Sequence, residues 1–266
     1  MIREPSVAGT FYPGSKASLE KQLGKMIHFA PEKRKVIGLV SPHAGYVYSG
    51  GCAGKGFGAV EVPGHVIILG VNHRGMGASF AVDGNDYWST PLGDVAVDME
   101  LAAQLVEDSD IFEIDSHAGA MEHSLEVQVP FVQYINPQAK ILPITISSGN
   151  LGRLMEGGRE IARLAEGRSD VLIVASTDMS HYIDAETARI LDRKAIDAIL
   201  ALDPGALLDV VMRERISMCG VGPTTMMLSA ALELGAKTAE VIEYTNSGEV
   251  SGDYYQVVGY VSMTVH

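Results

Sequence analysis

Two cysteines in 266 residues, Cys52 and Cys219, are too few for a disulfide framework and suit a reducing compartment. Long apolar runs are missing as well. No stretch approaches the ~18 consecutive apolar residues that a membrane span requires, and Met1-Ile-Arg-Glu-Pro-Ser6 lacks the apolar core of a signal peptide. Positive charge is scarce: 20 Lys and Arg stand against 33 Asp and Glu, for a net charge of −13 and a pI near 5.0. With no dense basic cluster beyond Lys33-Arg-Lys35, such a chain repels a phosphate backbone, so nucleic acid is excluded as the expected partner. There is no linker, internal repeat or low-complexity tract. The expectation is a cytoplasmic protein, away from membranes, folded as a single domain over residues 1–266.

What is present is material for a core, with 47% hydrophobic residues, and a repeated local design. Val36-Ile-Gly-Leu-Val40 is an apolar, β-branched run of the kind that forms a buried parallel strand, and it leads into Ser41-Pro-His-Ala-Gly-Tyr46. Pro42 withholds an amide donor and Gly45 permits a tight turn, which delivers His43 to the strand's C-terminal mouth. That end is where open α/β sheets place their chemistry. The design recurs in His65-Val-Ile-Ile-Leu-Gly-Val71, which ends in Asn72-His73, and in Val171-Leu-Ile-Val-Ala-Ser176, which ends in Thr177-Asp-Met-Ser-His181. If the three strands lie parallel and adjacent, His43, His73, Asp178 and His181 converge, and a metal site accounts for the convergence. A single such histidine would more simply close a strand-end hydrogen-bond network.

Other segments read as follows. Residues 1–14 form an N-terminal cap, 15–27 a helix, and 51–60 a Gly-rich helix pressed against the sheet, whose glycines lack Walker-loop spacing. Residues 79–82 form a short strand, and 87–93 a loop over the site mouth in which Trp88 is either a buried anchor or a pocket wall. A capped helix covers 98–107, and a second, kinked by Pro130, covers 124–135. If that helix begins at His123, Glu126 lies one turn on, either as partner to a ligand or as an acid favoured by the helix dipole. A strand at 140–146 and helices at 151–165, 184–202 and 224–234 follow, then strands at 239–244 and 255–265 around a polar loop. Cys219 sits in a Gly-rich turn before the 224–234 helix, where it is either a metal-stabilised thiolate or inert packing.

Taken together, Ala8-Gly-Thr-Phe-Tyr-Pro13, Ser41-Pro-His-Ala-Gly-Tyr46, Gly70-Val-Asn-His73, Glu122-His-Ser-Leu-Glu126, Asp178-Met-Ser-His181 and Cys219-Gly220 resemble the MEMO protein family over nearly the whole chain. The resemblance implies an α/β domain with a mixed central sheet flanked by helices, similar to class III extradiol dioxygenase subunits. It implies that His43, His73 and Cys219 face a metal, that Asp178 and His181 line the same pocket, and that His123 lies close by. On this basis His123 is a candidate acid or base, and Asp178 or His181 a ligand's partner or proton shuttle. The resemblance also suggests a link to radical-SAM and AMMECR1-type proteins.

The dioxygenases hold Fe(II) with two histidines and a carboxylate; here the third position looks like a thiolate. The expected cofactor is a transition metal, iron or copper ahead of zinc. The expected activity is that of an oxidoreductase on an unidentified small molecule; the alternative is a non-catalytic peptide- or ligand-binding protein that keeps the pocket. A hydrolase using Cys219 is disfavoured, because no oxyanion-hole motif accompanies the thiol.

Overall fold

The computed structural model describes residues 1–107, 109–147 and 149–266. The chain opens on β1 (Ile2–Arg3) and α1 (Lys16–Met26), then alternates β2 (Gly38–Ser41), α2 (Tyr46–Ala59) and β3 (His65–Val71). Next come β4 (Phe80–Val82), β5 (Tyr87–Thr90), β6 (Gly93–Ala96), α3 (Met99–Glu107) and β7 (Glu113–Ile114). Three short helices, α4 (Ser116–Gly119), α5 (His123–Glu126) and α6 (Val129–Ile135), lead to β8 (Lys140–Ile146), α7 (Leu151–Ala165), β9 (Val171–Ser176) and β10 (His181–Ile183). The last third comprises α8 (Ala185–Leu200), α9 (Pro204–Arg213), α10 (Val221–Glu233), β11 (Ala239–Asn246), α11 (Gly248–Ser251) and β12 (Val257–Val265). No helix among the described residues is long and apolar enough to cross a membrane.

The main sheet runs β10-β12-β2-β9-β3-β8-β4-β7, with β11 also paired to β12. Its centre, β2-β9-β3-β8, is parallel; β12 and β4 flank it antiparallel. Both faces are covered, which explains the unbroken apolar runs of the strands. Val40, Ile67, Leu69, Ile173 and Ala175 point into a core shared with α3, α7, α9 and α10. Leu39, Val66, Ile68, Leu172 and Val174 point into a second core with α1, α2 and α6. The expected α/β class with a mixed sheet between helices is therefore present.

The Gly-rich α2 is pressed close, as expected, but its glycines meet a neighbouring segment as well as the sheet. A Cβ at Gly54 would lie 2.3 Å from the Met26 carbonyl oxygen, and one at Gly58 2.3 Å from that of His28, while Gly56 abuts Ser262 of β12.

Two expectations need correction. Residues 87–93 are not a loop over the site mouth: β5 and β6 form a hairpin, and β5 pairs with β1 in a separate three-stranded sheet. Trp88 is a buried anchor, 1% exposed, with the Arg3 guanidinium 4.0 Å above its ring. The 124–135 helix is two helices, broken at Val127 and Gln128, with Pro130 in the first turn of α6 where its missing amide costs nothing.

Glu126 faces away from the histidines and is buried with Arg3. Arg3 Nη1 donates to Glu126 Oε2 at 2.8 Å, Tyr12 Oη to Oε1 at 2.7 Å, and the Ser6 and Val7 amides complete the set. Arg3 also donates to the carbonyls of Gly119 and Glu122, which fastens the N-terminal segment to the α4–α5 connection. Burial makes the Glu126 charge costly, but Arg3, Tyr12 and the two amides hold its carboxyl below the ordinary range. A carboxylate depressed in the folded state stabilises above its unfolded pKa of ~4.3 and loses that contribution as pH falls through the folded value. Glu126→Gln or Arg3→Ala should therefore lower unfolding free energy by about 3–5 kcal/mol at neutral pH. Urea titrations should show the Glu126→Gln deficit shrinking as pH drops below ~4.

Candidate metal centre

Because β9 lies between β2 and β3, the residues just beyond their C-terminal ends share one edge. His43 lies two residues past β2, His73 two past β3 and Asp178 two past β9. His123 opens α5 and is brought to the same edge by Ser124. The Ser124 hydroxyl accepts from the Val71 amide at 2.9 Å and donates to the Val71 carbonyl at 3.0 Å, fixing α5 to the end of β3. The imidazole donor atoms of His43, His73 and His123 all lie within 4.8 Å of one another.

The outer nitrogens of His43 and His73 are already engaged, and those hydrogen bonds decide their tautomers. Ser176 Oγ donates its one proton to the Ser124 carbonyl at 2.6 Å, so toward His43 Nδ1, at 2.9 Å, it accepts. His43 thus carries its proton on Nδ1 and presents a lone pair at Nε2. Gln128 Nε2 donates to the same hydroxyl at 2.8 Å and locks it. His73 Nδ1 donates to Glu122 Oε1 at 2.9 Å, and His123 Nδ1 lies 3.5 Å from that oxygen. A histidine whose far nitrogen is held by a carboxylate or hydroxyl is the arrangement that orients imidazole toward a metal.

The electrostatics agree. Burial, reinforced by the neighbouring imidazoles, holds His43 well below the usual histidine range, and burial likewise lowers His123. Burial opposes the Glu122 charge, but hydrogen bonds from His73 and the Ser124 amide bring its carboxyl down to about 2. His43 and His123 are therefore neutral imidazole donors beside the Glu122 anion, and a cluster of imidazoles fits a transition metal.

Cys219 Sγ lies 3.2 Å from His43 Nε2 and accepts from the Asp178 amide at 3.3 Å. Among the described residues, the donors mutually within 4.8 Å are the three imidazoles, with the sulfur against His43 alone. Burial and the Asp178 carboxylate push the Cys219 thiol up, and burial pushes that of Cys52, within α2, up to about 12. Asp178 Oδ1 accepts from the His43 amide at 2.8 Å, and burial raises its carboxyl to about 6.

Asp178, His123 and His181 line a cavity of about 450 Å³. His181 is held by Ser217, whose hydroxyl accepts from its amide and whose carbonyl accepts from its Nδ1. Tyr182 has φ 58° and turns its exposed ring outward on the cavity wall.

Several residues with a part in the site escape a reading of the strand ends. Glu122, Ser176 and Gln128 orient the imidazoles, and only the Glu122-His123 adjacency hinted at one of them. The polar segment before β12 contributes Ser247, Ser251 and Asp253 to the cavity, and the Phe11 ring packs tilted against His123, centroids 4.9 Å apart.

An α/β sheet with a histidine cluster at the ends of its parallel strands defines an α/β protein with a candidate metal centre. Within that class the chain belongs to the Memo-like protein family, whose match spans residues 3–264. Relatives named MEMO1 family proteins include one from Aquifex aeolicus, 41% identical over 264 residues and covering 98% of each chain. Another, from Methanococcoides burtonii, is 42% identical over 267 residues, covering 99% of this chain and 100% of its own. The crystal structure of an uncharacterised Escherichia coli K12 protein is similar with a TM-score of 0.58 at 15% identity, covering 86% of this chain and 99% of that one. That likeness concerns the fold alone.

Gly220 sets the position of Cys219: a Cβ there would lie 2.4 Å from the Ser176 carbonyl oxygen and from Thr177 Cβ. Gly220→Ala should cost roughly 1–3 kcal/mol and displace the thiol. Denaturation curves should register the loss, and mass-resolved alkylation should show Cys219 reacting faster than in the parent while Cys52 is unchanged.

Proposed function

We propose that this protein is a metal-dependent oxidoreductase whose transition metal, iron or copper ahead of zinc, is held by His43, His73 and His123, with Cys219 as a sulfur donor. The observation that carries this reading is the set of three imidazoles with donor atoms within 4.8 Å of one another, two of them, His43 and His73, with the other ring nitrogen hydrogen-bonded. A transition ion supplies an electron-transfer or Lewis-acid centre when bound. The chain's own residues do the rest. His43 and His123 stay neutral at physiological pH, so their lone pairs are available without loss of a proton. Burial holds the Asp178 carboxyl above the ordinary range, and with His181 on the same cavity wall it is placed to exchange a proton with a bound substrate.

The dioxygenase-like fold that the family resemblance implies would suit oxygen chemistry, while a sulfur donor shifts metal preference toward copper or zinc and makes the site sensitive to oxidants. The substrate is a small molecule or peptide segment that fits the 450 Å³ cavity. A link to radical-SAM and AMMECR1-type proteins would place it in a pathway with such enzymes.

Protein purified without chelator or histidine tag should contain bound transition metal. Single changes of His43, His73 or Cys219 to Ala should lower its affinity by at least about tenfold, whereas Cys52→Ala should not. Equal metal content in the Cys219 and Cys52 variants would remove sulfur from the ligand set. Metal-loaded protein should consume O2 in the presence of a reductant or a phenolic substrate, and the uptake should require His43 and His73. Oxygen-electrode traces at the apo baseline with every metal across a broad phenolic panel would overturn the oxidoreductase in favour of a binding protein.

A further inference from the structure

A second cavity, about 460 Å³ and as large as the one at the metal centre, lies at the opposite end of the same strands. Its apolar wall is made by Ile37, just ahead of β2, by Val171 and Ile173 of β9, and by Leu234 after α10. Its polar side chains are Lys35, Arg168, Ser169 and His266, and no carboxylate side chain lines it.

The charge is what distinguishes this cavity. Seven of the 20 Lys and Arg form ion pairs among the described residues, so an unpaired cation is common in this chain of net charge −13; what sets this cavity apart is that two such cations line it together with no acidic side chain. Lys35 and Arg168 enter no ion pair among the described residues; the neighbouring carboxylates are taken by other groups, Glu240 by Arg34 and Asp170 by His65. His266 Nε2 lies 3.7 Å from Glu240, and its buried Nδ1 has no hydrogen-bond partner within the protein. Two cations that enter no ion pair, set beside an apolar wall, complement a ligand with an apolar body and one anionic group.

We propose that this cavity binds a small organic anion, its apolar body against Ile37, Val171, Ile173 and Leu234 and its charged group engaged by Lys35 and Arg168. The site is independent of the metal centre: the six residues of β9, rising ~3.3 Å each, put about 20 Å between them. The two are joined by β2 and β9, whose far ends carry His43, Ser176 and Asp178, and by α10 and β12, which run from one to the other.

The test uses the full chain and two fluorescent probes, the anionic 8-anilinonaphthalene-1-sulfonate and the uncharged N-phenyl-1-naphthylamine. The anionic probe should bind saturably at one site per chain and weaken with added salt. It should lose at least about tenfold in affinity in the Lys35→Ala/Arg168→Ala double variant. Both positions are exposed, so the variant should fold, which its circular dichroism and Tm would verify. Binding of the uncharged probe should be unchanged in it. Tyr182→Ala, at the first cavity, should leave the anionic probe's affinity intact. Absence of saturable binding, equal affinity in the double variant, or sensitivity to Tyr182→Ala in place of Lys35 and Arg168 would each overturn the proposal.

Discussion

β9 hydrogen-bonds to β2 on one side and to β3 on the other, and this parallel pairing sets the position of everything at the candidate centre. Parallel strands in register end together, so His43, His73 and Asp178, each two residues beyond its strand, emerge on one edge. Both faces of the three strands are sealed by helices, which makes their register costly to change: a slip of one residue would turn each buried side chain toward the opposite core. The position of the site is thus enforced by burial far from the histidines themselves.

The orientation of the imidazoles depends on a second layer of buried polar groups. Glu122 spans His73 and His123, Ser176 holds His43, and Ser124 binds α5 to the end of β3. Each of these groups is fully buried, so an unmade hydrogen bond among them has no water to replace it. The Arg3–Glu126 cluster adds the N-terminal segment to the same assembly, since Arg3 also engages the Glu122 carbonyl. Residues Ala8 to Tyr12 therefore do more than cap the core: Phe11 packs on His123 and accepts from the Tyr46 amide at the start of α2.

The two large cavities occupy opposite ends of the parallel strands and differ in chemistry. The one at the C-terminal ends is lined by histidines, tyrosines and carboxylates and by neither Lys nor Arg; the other is lined by two cations and no carboxylate side chain. Such opposite linings on one small, strongly acidic protein fit ligands of different charge at the two ends.

The sequence alone determined the elements whose physics is local. Apolar β-branched runs become doubly buried strands, the turn chemistry of Pro42 and Gly45 places His43 at a strand mouth, and amphipathic periods mark helices such as α7 and α8. The convergence of His43 and His73 was legible as the consequence of parallel, neighbouring strands, whose C-terminal ends lie on one edge; that β9 stands between β2 and β3 was decided by the fold. The rest was decided by tertiary packing. Glu126 is three residues from His123, yet its partner is Arg3, 123 residues away, and no helical spacing reveals which face of a short helix will be turned to the N-terminus. Trp88 lies in a hairpin because β1 offers β5 a free edge, which turn residues do not announce. The sequence suggested a kink at Pro130, but the chain breaks earlier, at Val127 and Gln128, and the break that lets His123 stand at a helix start beside the strand ends needed Ser124 to find Val71. Which residues carry ligand-like histidines is written in local sequence; which groups hold those rings in place is set by contacts between segments far apart in the chain.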